Sequence, residues 1–230
     1  MAASVSTELL EKARLGILPV IGIDETGKGD YFGPLVVAAC FLSPAAFAAL
    51  SHLDIKESKK ISDGRAKSLA AEIKRHCPHS VVKINPSKYN LLYEKFGNLN
   101  QLLAWGHSRA LENILAEIKA PVGLVIADKF AGAWRLEKAL MSGGREMKLV
   151  QFPKAEEYPA VAYASVLARA AFLYALEDLS KESGWKLHKG AGEPTDVIAR
   201  GIFREKGEAG LRALAKWHFK NTQKIVGRLL

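Results

Sequence analysis

A chain of 230 residues with 49% apolar and 25% charged side chains has the composition of a soluble globular protein, and it is long enough to bury a core of its own. Its 33 basic and 24 acidic residues leave a net charge of +9, which fits plain solubility and, more sharply, a polyanionic partner. Two cysteines, Cys40 and Cys77, without CxxC spacing exclude a disulfide scaffold and predict buried thiols in a reducing, cytoplasmic compartment; residues 1–18 carry acids and no long apolar run, so they are not a secretory signal.

In chain order, residues 6–15 predict a short helix with Leu9, Leu10 and Ala13 on one face, inside an N-terminal extension of residues 1–18. The apolar run 19–23 ends on adjacent acids, Asp24 and Glu25. A tight turn of Gly27, Lys28, Gly29 and Asp30 follows, and Gly33-Pro34 opens a second apolar run, residues 35–42. This reads as strand, turn, strand. A desolvated unpaired charge is costly, so an Asp-Glu pair at a buried strand's end is a metal or acid–base candidate.

Residues 45–50 predict a short alanine-rich helix, followed by the lysine-rich connection DIKESKKISDGR and a helix from a Ser62 cap to about His76. Residues 80–84 alternate like a strand, and residues 86–96 and 99–118 predict helices. The β-branched run 122–127 between Pro121 and Asp128 predicts a buried strand. A helix over 134–141, closed by Ser142-Gly143-Gly144, precedes a strand over 147–152. The alanine-rich stretch 158–179 predicts a long helix whose small residues allow close packing on a sheet; Ser165 and Arg169 mark it as buried helix and not a membrane span. From about residue 184 the chain predicts a loop, LHKGAGEP, a helix over 195–204 and another over 207–222 carrying Lys216, His218 and Lys220. The expected class is α/β, a mixed central sheet flanked by helices with a helical C-terminal part.

Asp24 and Asp128 end expected strands, and Glu156 sits between a strand and a helix N-terminus. With Glu25 they would make an all-oxygen site for Mg²⁺ or Mn²⁺, of the kind in which two ions clamp a phosphoryl displacement. Plainer readings stand beside this one: Asp is common after strands, and Glu is favoured at helix N-termini by the macrodipole. His107, His188 and His218 lack paired metal-ligand spacing; His218, in KWHFKN, reads as packed or phosphate-facing, and the four tryptophans as core or groove-lining.

These residues resemble the type 2 ribonucleases H, and within them the ribonuclease HIII branch. The resemblance runs from about residue 20 to 225 and rests on five separated motifs: GIDETGKGDYFGPLVVAACFL, KESKKIS, NLNQLLAWGHSRAL, IADKFA with KAEEYPAVAYASVLARAAFL, and the C-terminal segment from LHKGAGEP onward. It implies a ribonuclease H-like fold over residues 19–230 and hydrolysis of the RNA strand of RNA–DNA hybrids by a cytoplasmic, monomeric endonuclease. It implies Asp24, Glu25, Asp128 and Glu156 as catalytic metal ligands, with Glu157 an alternative to Glu156 because the segment is one residue short of the usual pattern. Gly27, Lys28 and Gly29 match a turn that touches ribose 2′-hydroxyls, and Lys59 and Lys60 match residues near substrate phosphate, or else form a solvated charge run. Mg²⁺ or Mn²⁺, 5′-phosphate and 3′-hydroxyl products follow from the same resemblance.

Two departures shape the expected specificity. Ala191 stands where the ribonuclease HII branch has a tyrosine that stacks at RNA–DNA junctions, which predicts poor cutting at a single embedded ribonucleotide. Ribonucleases HIII also carry an N-terminal substrate-binding domain, whereas residues 1–19 alone precede the first strand here, so hybrid affinity is expected to rest on the catalytic domain's basic surface and to fall steeply with salt. Three other readings compete: a ribonuclease HII-like enzyme with junction activity, a non-catalytic nucleic-acid-binding domain, and a nucleotide hydrolase built on residues 22–28, which fit G-x-x-x-x-G-K.

Overall fold

The computed structural model describes residues 5–53, 55, 61–130 and 132–227. In chain order the elements are α1 (Thr7–Arg14), β1 (Val20–Thr26), β2 (Leu35–Leu42), α2 (Pro44–Ala49), α3 (Asp63–His76), β3 (His79–Ile84), α4 (Pro86–Phe96), α5 (Leu99–Glu117), β4 (Leu124–Asp128), α6 (Ala133–Ala139), α7 (Ser142–Arg145), β5 (Leu149–Phe152), a 3-10 turn (Ala155–Glu157), α8 (Pro159–Ser183), α9 (Glu193–Leu214) and α10 (Lys220–Val226). Helix starts follow local capping chemistry: Ser6, Ser43, Ser62 and Asn98 each accept a backbone N–H of the first turn.

The chain divides into two compact units, one from Met1–Glu25, Val37–Val82 and Asn98–Ala170, the other from Thr26–Val36, Lys83–Gly97 and Ala171–Leu230. The five strands form one sheet in the order β3-β2-β1-β4-β5. β1 pairs parallel with β4, and β4 parallel with β5. Residues 27–34 are too short a link for a parallel crossover, so neighbouring β1 and β2 run antiparallel and the sheet is mixed, as expected.

On one face of the first unit, Ile21, Ile23, Val37, Ala39, Phe41, Val125 and Ala127 pack against Ala110, Leu111 and Ile114 of α5, with Leu136 and Leu140 completing the cluster. On the other face Gly22 lies against the α8 backbone: a Cβ there would fall 2.1 Å from the Ala160 carbonyl carbon and 2.3 Å from the Val161 nitrogen. Ala160, Ala164 and Ala168 are buried along α8, so its small residues do allow close packing. α8 is long and apolar enough to cross a membrane, but 78% of its most apolar window is buried, as in a core helix. Cys40 and Cys77 are free and buried, as expected.

The structure corrects three local expectations. Ser142-Gly143-Gly144 does not close a helix; it starts α7, because the Glu112 carboxylate accepts the Gly143 and Gly144 N–H groups at 3.0 and 3.2 Å. The expected helix over 207–222 is interrupted in its middle: the break at Gly207, φ 64°, falls where the two expected helices meet, but Ala215 leaves the helix to form an antiparallel bridge with Phe32. Lys216 and His218 therefore lie between helices α9 and α10. Trp134, expected in a core or groove, is 58% exposed beneath the Arg135 guanidinium.

Candidate active site

The acids of the first motif sit inside β1 and not after it, which fixes where they point. Successive side chains of a strand alternate between faces. Ile23 faces α5, so Asp24 faces α8 and Glu25 turns back toward α5. One rung beyond the Ile23–Ala127 pair, Asp24 and Asp128 occupy neighbouring positions on adjacent parallel strands, roughly 5 Å apart along the hydrogen-bonding direction.

Asp24 is 5% exposed and accepts the Glu25 N–H at 2.8 Å and a hydrogen bond from Ser165 on α8. Burial, then the negative charges of Glu25 and Asp128, push its carboxyl up to about 8, although both hydrogen bonds oppose the rise. Asp128 accepts the Ala155 N–H at 3.2 Å, which ties the end of β4 to the turn carrying Glu156. That turn is entered through Lys154 at φ 60°, the one non-glycine residue with positive φ among the described residues. Such a conformation costs about 1–2 kcal/mol and is held only where neighbouring structure imposes it. Glu156 is half-buried and Glu157 exposed, and both line a cavity of about 650 Å³ with Arg14, His52 and Tyr163.

Glu25 is treated differently. Its carboxylate accepts His107 Nε2 at 3.0 Å, with side-chain exposures of 2% and 0%. Sequence spacing gave no sign of this contact, since the partners stand 82 residues apart. The signal present was a polar residue on the apolar stripe of α5, where Leu103, Ala110, Leu111 and Ile114 surround His107.

Among the described residues, no three His, Cys, Asp or Glu groups already stand as a ready cage for one ion. The donor set nevertheless fits a hard divalent cation: Asp24 is buried beside the carboxylates of Glu25 and Asp128. A bound cation would reverse the repulsion that now drives protons onto Asp24.

The second unit holds the turn between β1 and β2. Gly27 adopts φ +94°, and a Cβ there would lie 2.2 Å from the Pro34 carbonyl oxygen, so only glycine fits. Lys28 and Gly29 are exposed, and the space around Gly29 is open to 4 Å. The far end of the turn is stapled to the C-terminal loop: Asp30 Oδ1 accepts the Gly190 N–H at 2.6 Å, and the Tyr31 N–H donates to the Gly190 carbonyl at 2.9 Å. Lys216, fully buried, donates to the carbonyls of Asp30 and Gly33 at 2.7 Å each, and its burial pushes the ammonium down to about 7. His218 stacks on Tyr93 at 3.9 Å, and burial pushes it down to about 4, so it is the packed residue expected. Lys59 and Lys60 lie outside the described residues. No helix follows Gly27-Lys28; the next element is the strand β2, which overturns the nucleotide-hydrolase reading.

The sequence profile of the Ribonuclease HII family matches residues 21–222. Ribonuclease HIII of Protochlamydia amoebophila is 42% identical over 216 residues, covering 94% of this chain and 71% of that protein. Ribonuclease HIII of Lysinibacillus sphaericus is 38% identical over 218 residues, covering 92% and 70%. A crystal structure of Bst-RNase HIII in complex with Mn²⁺ superposes with a TM-score of 0.88 at 33% identity, covering 99% of this chain and 75% of that one.

Proposed function

The chain belongs to the ribonuclease HII family and is a ribonuclease H, an endoribonuclease, and from that premise we propose that it hydrolyses the RNA strand of RNA–DNA hybrids at a site built from Asp24, Glu25, Asp128 and Glu156. The observation that carries the reading is the placement of Asp24 and Asp128 at the same rung of the adjacent strands β1 and β4, with the Glu156 turn bonded to Asp128. Mg²⁺ or Mn²⁺ would be held by these four carboxylates; when bound, the metal supplies Lewis acidity for attack of water on a phosphodiester.

The chain's own residues set the geometry for that chemistry. Ser165 and the Glu25 N–H hold the Asp24 carboxylate, and the Ala155 N–H holds that of Asp128. Products with 5′-phosphate and 3′-hydroxyl ends accord with metal-assisted attack of water on the phosphodiester. Two free, buried cysteines support a cytoplasmic enzyme, and a monomer is the simplest assembly.

Gly27, Lys28 and Gly29 are the proposed readers of the RNA strand. Gly29 needs no glycine for its own packing, and its open surroundings suit close backbone approach by a ribose. Gly29→Ala is expected to fold with an unchanged melting temperature and to raise KM for a hybrid about tenfold, read by steady-state kinetics.

Ala191 offers its backbone carbonyl to Asn221 Nδ2 at 2.9 Å and no ring for stacking. Cleavage-site mapping on three duplexes, a continuous hybrid, one with four ribonucleotides and one with a single ribonucleotide, tests the proposed specificity. The first two are expected to be cut well and the third at a rate lower by ~10²-fold. Equal rates on the first and third would assign ribonuclease HII-like junction activity instead.

A further inference from the structure

We propose that His107 is a positioning residue for the metal site, its Nε2–H holding the Glu25 carboxylate in the orientation that receives a divalent cation. The inference rests on the proposed assignment of Glu25 as a ligand and adds a residue outside the four acids.

Three observations carry it. First, the pair is fully enclosed: the Glu25 and His107 side chains are 2% and 0% exposed and meet at 3.0 Å. Burying a carboxylate is costly, and apolar side chains of similar volume generally serve stability as well or better. The rest of this helix face shows what that alternative looks like, since Ala110, Leu111 and Ile114 share one buried apolar cluster with Ile21 and Ile23. A polar pair retained there confers geometry more than stability.

Second, the imidazole has a defined proton arrangement. Among the described residues buried Nδ1 has no hydrogen-bond partner, and the ring lies 4.7 Å from that of Phe130. A bare Nε2 would face the carboxylate oxygen with two acceptors opposed. The proton therefore resides on Nε2, and His107 acts as a donor toward Glu25.

Third, the contact compensates for strand alternation. β1 turns Glu25 toward α5 while Asp24 points to the α8 face. A carboxylate on the opposite face serves the same ion only if its rotamer is fixed at the strand's end, and the bond from α5 fixes it. Partners that orient metal ligands in this way typically contribute 10–100-fold to metal affinity or activity.

The test is Mn²⁺ binding by calorimetry without substrate, on the whole chain and its Asp24→Asn, His107→Phe, His107→Leu and His107→Gln variants, each checked by thermal melting. Phe and Leu fill the space without a donor; the Gln amide can replace Nε2–H. Mn²⁺ affinity is expected to fall about 10–100-fold in the Phe and Leu variants and to stay within about threefold of the parent in the Gln variant. KM for a hybrid should be unchanged in the three His107 variants, since His107 is fully buried and cannot itself touch the hybrid. Parent-like Mn²⁺ binding in either donor-less variant that folds would overturn the proposal, as would equal loss in the Gln variant with a lowered melting temperature. If Asp24→Asn also binds Mn²⁺ like the parent, the assignment of the metal site itself fails, a result separate from the failure of His107 alone.

Discussion

Replacing Asp24 by Asn is expected to lower hybrid cleavage by ~10³-fold or more while making the metal-free protein more stable at pH 8. The two effects have one cause. Asp24 is buried beside Glu25 and Asp128, and burial first, then those charges, raise its carboxyl from 3.8 to about 8. Between about pH 4 and 8 the folded chain holds this proton while the unfolded chain has released it. Stability of the metal-free protein therefore falls as pH rises through that window. Asn keeps the shape, can still accept the Glu25 N–H, and cannot ionise. Relative to the parent the variant should lose that decline, so its advantage grows across the window to a gain on the order of a few kcal/mol at the upper end, while His218, held low by burial, acts on both proteins alike. Thermal melts from pH 4 to 9, paired with initial rates on a labelled hybrid, read both effects. A site whose acids were merely structural would lose stability on this substitution and keep its rate.

Gly22→Ala carries the largest expected cost to the fold itself, about 3 kcal/mol or more by chemical denaturation. The added methyl would meet backbone atoms of Ala160 and Val161 at 2.1 to 2.3 Å, and backbone cannot rotate away as a side chain can. α8 would have to shift from β1. Because Ser165 on that helix bonds to Asp24, and Glu156 lies just before its start, the shift also displaces two contacts of the proposed site. Activity should fall even at temperatures where the variant stays folded. Gly29→Ala is the contrast, a glycine with open space and no expected cost to stability.

Much of this architecture was legible in the sequence where one local signal dominated. The apolar run 35–42 is β2 throughout, the Ser62 cap starts α3, and residues 86–96 form α4 as patterning predicts. Asp24 and Asp128 could be picked out because each terminates an apolar run, and Glu156 because it stands between a strand and a helix N-terminus; the sheet then brings the strands of the first two side by side. What the sequence concealed is tertiary. Helical spacing continues through residues 207–222, yet Ala215 pairs with Phe32 and the Lys216 ammonium reaches the Asp30 and Gly33 carbonyls. Those contacts outweigh local propensity, and nothing near Lys216 in the chain announces them. His107 shows no ligand spacing in the sequence because its partner Glu25 is 82 residues away. Ser142-Gly143-Gly144 looked like a helix stop until Glu112 supplied acceptors for two of its N–H groups.

The most direct measurement is cleavage of a hybrid labelled on both strands, with Mn²⁺ present, by the parent chain and by Asp128→Asn. The proposed site predicts internal cuts in the RNA strand alone by the parent, an intact DNA strand, and loss of cutting by ~10³-fold in the variant with its fold retained. Cutting of the DNA strand by the parent, or undiminished RNA cleavage by the folded Asp128→Asn protein, would contradict it.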